Sequence, residues 1–146
     1  MSPSGDRLRR MAELAAHDGG RAAAGAMARE GRNAIREALN RRSHRRGTPT
    51  PAAPGQPPAR ISGALMTHIV VVPAVNEGSY RWVATAGSDG ILPYDRIQNL
   101  GGVAGRGHRT TLPPRPYIVP PVRDLRASGR LSEVGAEAFR AVVHGR

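Results

Sequence analysis

"LPPRPYIVPPVRDL" (residues 112–125) sets five prolines around Arg115 and Tyr117 and then runs into a stretch of helical character. Proline fixes φ and pushes the preceding residue toward extended backbone, so Pro113, Pro114 and Pro116 hold "RPY" in one conformation. A brace of this kind fixes how the chain approaches a final helix. That helix is predicted over 130–143, where Leu131, Val134, Ala138 and Val142 recur at helical spacing and Ser128 or Ser132 can cap it.

The segments before the brace follow from their own patterns. "GVAGRGHRT" (102–110) reads as a flexible loop, and "PYDRIQNL" (93–100) as a short helix with Pro93 near its first turn and Gly101-Gly102 ending it. The β-branched run "IVVV" (69–72), the turn residues "NEGS" (76–79) and the alternating "YRWVATA" (80–86) predict a hairpin, with Tyr80 and Trp82 read as core. "RRSHRRGTPTPAAPGQPPAR" (41–60) combines arginines with prolines and almost nothing apolar, so it reads as an extended, polyproline-leaning arm. Residues 6–40 read as helix, weakened at Asp18-Gly19-Gly20, where two glycines predict a kink or a break. Ala and Gly along its face also suit close packing between helices.

The whole is predicted as one α+β domain: an N-terminal helical segment (6–40), a basic Pro-rich arm (41–60), and a core (61–146) with a small antiparallel sheet, a short helix and a C-terminal helix. Aromatic residues make up only 3% of the 146 residues, so the core is lean and part of the stability is expected from partner subunits. Net charge is +11, and all 22 basic residues are arginine. A G+C-rich genome explains that usage most simply; the charge itself points to attraction toward polyanions and says nothing of fold.

The sequence supplies little reaction chemistry. Without cysteine there are no disulfides, thiolate nucleophiles or cysteine zinc sites. The nearest two of the five histidines, His44 and His68, lie 24 positions apart, so no segment offers a local ligand pair. There is no G-x-S-x-G elbow, and "GGVAGRG" (101–107) matches neither phosphate-loop pattern. His108 is best read as a solvated loop residue. No enzyme, cofactor or metal site is expected. "IVVV" falls far short of the roughly 20 apolar residues of a membrane span, and the N-terminus has no apolar leader. A soluble protein without membrane contact is expected, localised by its partners.

The order of these pieces resembles the head-tail junction, or tail-completion, proteins of long-tailed double-stranded-DNA phages. Pro57, Pro58, Ser62, Gly63 and Leu65 fit a Pro-rich run before a T-G-R-L-like segment. Tyr94, Ile97, Leu100 and Gly101 fit a Tyr followed by a hydrophobic-Gly pair. Pro114, Arg115, Pro116, Tyr117, Ile118 and Pro120 fit a P-x-R-P-aromatic motif opening the last helix. Ala64 departs from a position that is often basic, and Gln98-Asn99 from one that is often acidic.

The resemblance implies a non-enzymatic ring of identical subunits at the virion neck, assembled in the host cytoplasm. The ring would contact other neck and tail proteins around the channel for double-stranded DNA. It implies subunit or partner contacts at Arg41, Arg42, Arg45, Arg46, Arg60, Tyr94, Leu100, Gly101, Pro114, Arg115, Pro116 and Tyr117. DNA-facing positions are expected at Arg41, Arg42, Arg45, Arg46, Arg106 and Arg109. Arg115 is expected to meet a carboxylate, and packing in its own core is the favoured reading of Tyr117. The rival reading is a basic nucleic-acid-binding accessory protein whose arm contacts phosphates.

Overall fold

A computed structural model describes residues 3–48 and 52–145. The spine is one uninterrupted helix, α1 (Pro3–Asn40), about 57 Å long at 1.5 Å per residue. The predicted break at Gly19-Gly20 is absent. The glycines act at the helix surface: a Cβ on Gly19 would lie 2.6 Å from Phe139 Cδ2, and one on Gly20 would lie 2.8 Å from Trp82 Cδ1. Packed rings offset the lower helix propensity of glycine, which is about 1 kcal/mol per residue.

After α1 come a single helical turn, α2 (Ala64–Thr67), and the hairpin strands β1 (Ile69–Asn76) and β2 (Trp82–Ser88). The strands pair antiparallel from Ile69↔Ser88 to Asn76↔Trp82, with a bulge between Val72 and Val75. Pro73 falls in that bulge, the position that tolerates a missing backbone donor. The turn is longer than predicted. Ser79 and Tyr80 have φ of 41° and 66°, and Glu77 N donates to Arg81 O at 2.8 Å. Tyr80 therefore sits at the exposed hairpin tip, contrary to its reading as core, whereas half-buried Trp82 packs edge-on to His17 with ring centroids 4.7 Å apart.

Helix α3 (Asp95–Leu100) stops at Gly101. The predicted flexible loop is a second hairpin, β3 (Gly102–Ala104) and β4 (Thr110–Leu112), joined through a 3-10 turn at Arg106–His108. Gly105 and Gly107 at positive φ, and His108 at 52°, let the chain reverse there. The C-terminal region holds two helices, α4 (Val119–Ala127) and α5 (Arg130–His144), separated by Gly129 at φ 78°. Neither predicted serine caps α5. The Ser128 hydroxyl donates back to Leu125 O at the end of α4, and Ser132 lies inside the helix.

The buried cluster is small: Ile35 and Leu39 from α1, Ile69 from β1, and Tyr117, with Leu65, Met66, Ile118 and Val122 against it. Helix α5 lies along α1, where a Cβ on Gly135 would come within 2.9 Å of Met27 Sδ. Hairpin β1–β2 covers another part of α1, and α4 a third.

The predicted extended arm instead doubles back on its own chain, with residues 49–51 outside the described residues. Arg60 N donates to Arg42 O at 2.7 Å, His44 N to Arg60 O at 3.1 Å, and Gly55 N to Pro114 O at 2.9 Å. Pro58 is buried. Backbone amides that find partners within the chain have no reason to extend away from it.

The glycines of α1 make opposite predictions. Gly20→Leu is expected to destabilise the fold by about 1–3 kcal/mol through overpacking against Trp82. Gly25→Ala meets only the mobile end of Arg29 and is expected to stabilise by up to about 1 kcal/mol. Urea denaturation midpoints of the two variants check the sign of each.

Candidate functional site

Three of the expected contact residues meet in one place. Arg46, Arg60 and Tyr94 line a cleft of about 380 Å³ whose apolar walls include Leu39, Ile61 and Met66. The doubled-back arm forms one side and the 61–66 segment another. Gly63, at φ 82°, turns the chain into α2, and Ser62 Oγ accepts from Ala64 N. Arg60 folds its side chain over Gly63, where a Cβ would lie 3.9 Å from Arg60 Cδ.

The other expected positions are distributed differently. Arg41 is within 3.9 Å of Glu37 on the same helical face, and Arg42 and Arg45 are exposed beside it. Leu100 is exposed at the end of α3. Gly101 is closely packed within the chain, since a Cβ there would lie 2.8 Å from Pro114 N and 2.9 Å from Leu112 O. Arg106 and Arg109 are exposed on the β3–β4 turn.

The braced segment is latched to α3. Arg115 N donates to Gln98 O at 3.0 Å, and Tyr117 N donates to Asn99 Oδ1 at 3.1 Å. Pro114 is exposed and Pro116 half-buried, while Tyr117 is fully enclosed. Tyr117 is thus a core residue of its own chain. Arg115 meets an amide where a carboxylate was expected: its Nη1 donates to Gln98 Oε1 at 3.4 Å, and its buried Nε has no partner among the described residues.

Two polar clusters escaped sequence reading. Asp95, buried at the start of α3, accepts from Ser88 Oγ and from Arg96 N, and its carbonyl accepts from the Tyr117 hydroxyl at 3.3 Å. Burial first, then the nearby Asp95 charge and Tyr94, pushes the Tyr117 phenol up to about 12. His68 Nδ1 lies 2.7 Å from Asp89 Oδ2 across the open end of hairpin β1–β2. The N–H of Ile91 and then the His68 ring hold the Asp89 carboxyl below its ordinary value.

A third feature is basic. Arg21, Arg29 and Arg32 of α1 face Val71, Pro73 and Ala74 of β1 across an open groove. Their spacing was in the sequence, but only the packing of β1 against this part of α1 makes a groove of them.

Among the described residues, no three His, Asp or Glu side chains gather as a metal site, and no helix is long and apolar enough to cross a membrane. No protein-family model, curated protein or solved structure matches the chain.

Both titratable groups predict pH effects. Tyr117 stays protonated in the folded chain where the unfolded phenol ionises, so its contribution is intact below about pH 10 and is lost as pH rises toward about 12. Tyr117→Phe should flatten that alkaline fall and cost about 0.5–1.5 kcal/mol at neutral pH through the lost hydrogen bond. The lowered Asp89 works in the opposite direction: its contribution is present above the ordinary value of 3.8 and disappears as pH falls through the lower folded value. Asp89→Asn should therefore lose less stability than the unaltered chain on acidification. Denaturation midpoints across pH check both.

Proposed function

We propose that this chain is a structural subunit of the neck of a long-tailed double-stranded-DNA phage, forming a homo-oligomeric ring between head and tail. The observation that carries the reading is apolar surface left without a partner on a chain with a small buried cluster. Leu8, Met11 and Leu14 are each more than half exposed on the first turns of α1. Those turns extend past the packed body, with every described side chain from Ser4 to Leu14 exposed.

The second surface is the outer face of hairpin β1–β2. Val72 and Val75, each more than half exposed, share it with Thr85 and Val83, their cross-strand partners. Among the described residues this hairpin also has two unpaired strand edges, since β1 and β2 alone make up its sheet. A two-stranded hairpin with one bare apolar face is marginal alone and is stabilised by covering.

Apolar patches of this kind mark association surfaces, and two different ones on a chain favour heterologous contacts that close into a ring. The cleft holding Arg46, Arg60 and Tyr94 offers a third surface, suited to an acidic neighbour. The order of motifs supplies the neck reading, in which the subunit works without turnover of a substrate.

The alternative, a basic nucleic-acid-binding accessory protein, draws its support from the arginine groove on α1. The two readings differ in assembly. Light scattering and negative-stain microscopy should find a ring of the purified chain, and mass spectrometry should find the chain in purified particles. A triple Leu8→Ser, Met11→Ser, Leu14→Ser variant should weaken assembly while changing monomer stability by no more than about 0.5 kcal/mol, as for surface positions. A chain that stays monomeric at every concentration and is missing from particles would overturn the neck reading.

A further inference from the structure

The groove between α1 and β1 has a volume of about 610 Å³. Its helical wall carries Arg21, Arg29 and Arg32, spaced eight and three residues apart. At 100° per residue these fall within about 80° of one face, over roughly 16 Å of axis. The opposite wall is the bulged part of β1, with Val71 and Pro73.

Four features bear on what this groove can hold. First, two of its arginines stand without a carboxylate partner, as Arg42, Arg45, Arg46, Arg106 and Arg109 also do among the described residues. Arg9, Arg41, Arg81 and Arg130 each lie within ion-pair distance of a glutamate, whereas neither Arg29 nor Arg32 is paired with a carboxylate among the described residues. The Arg32 guanidinium rests on the neutral amide oxygen of Asn33 at 3.2 Å. Asp18, beside His17 at 3.3 Å, is the one acidic side chain on the lining.

Second, the scaffold is rigid, because the three side chains spring from one continuous helix. Third, Gly25 leaves room for one of them: a Cβ there would come within 3.3 Å of Arg29 Nη1, so the guanidinium lies along the helix within the groove. Fourth, a low-dielectric wall opposite a row of like charges focuses the positive potential.

We infer that this groove holds the phosphodiester backbone of duplex DNA, without reading its sequence. Guanidinium forks match phosphate oxygens, and one strand of B-DNA passes about five phosphates over 16 Å of axis. The facing wall is aliphatic, with no amide or hydroxyl side chain to read base edges. It also has no aromatic ring, the platform on which single strands stack, so the groove favours the duplex. The inference stands whether the chain acts as a ring or alone. It also moves the DNA contact away from Arg41, Arg42, Arg45, Arg46, Arg106 and Arg109, where it was first expected.

Fluorescence anisotropy of the full chain with a labelled random-sequence duplex, titrated with salt, tests the assignment. Arg21→Gln, Arg29→Gln and Arg32→Gln together should lower affinity about tenfold or more and reduce the log–log salt slope by about three. The Lys triple, which keeps the charge, should restore most of the slope. Quadruple Gln substitution of Arg41, Arg42, Arg45 and Arg46 removes one more charge yet should cost less. A loss that follows the number of charges removed, irrespective of place, overturns the inference, as does an unchanged slope in the groove variant. Weakened assembly with intact DNA binding also overturns it, assigning the groove to an acidic protein surface. Melting curves confirm that each variant is folded, and light scattering reads oligomeric state separately, so failure of the ring leaves the groove assignment open to its own result.

Discussion

The fold depends on how closely other elements approach α1. Gly19, Gly20 and Gly135 are the points of closest approach, because a Cβ at any of them would overlap Phe139, Trp82 or Met27. Such spacing lets a long helix serve as the common floor for α5, α4 and hairpin β1–β2. It also explains how a chain with so few large side chains coheres. Dispersion contacts fall steeply with separation, so ring-to-backbone packing recovers some of the attraction that larger residues would supply. Continuity of α1 is the precondition. A kink at residue 19 would swing the turns before it away from the body and take His17 off the Trp82 ring.

The proline brace completes the other end. Prolines cannot donate backbone hydrogen bonds, so Arg115 and Tyr117 carry the donors that tie this segment to α3, one at Gln98 O and one at Asn99 Oδ1. With the backbone direction fixed, the Tyr117 ring enters the cluster formed by Ile35, Leu39 and Ile69. Its hydroxyl then finds Asp95 O. Stiffness here lowers the ordering entropy of the final connection, and it places α4 on α1.

Local patterns carried the α+β class, the first hairpin, α3 and the final helix, because each rests on periodicity or on glycine and proline chemistry that is written locally. What escaped was decided at a distance. Glycine at 19 and 20 weakens an isolated helix, and only the rings of Phe139 and Trp82, far along the chain, turn it into an asset. Composition marked 41–60 as extended, but Arg42 and His44 bond to Arg60 within the segment and Gly55 bonds to Pro114 beyond it, through backbone groups that carry no sequence signature. Part of the candidate site was legible as a list of arginines. Its grouping was not, since Arg46, Arg60 and Tyr94 converge only through the closed arm, and Arg21, Arg29 and Arg32 line a groove only because β1 packs opposite them.

Charge placement connects the proposed ring to the proposed DNA contact. Subunits each carrying +11 repel one another, and that repulsion opposes the apolar contacts that would join them. Outside the groove, glutamates on the same or an adjoining helix already lie against Arg9, Arg41 and Arg130. The charge on the α1–β1 groove is one part of the cost of association, and a polyanion lying there would relieve it. On this reading the nucleic acid is more than a passenger in the channel: by neutralising the groove it favours the closed assembly. The same linkage requires the assembled form to bind DNA more tightly than the single subunit by an equal factor.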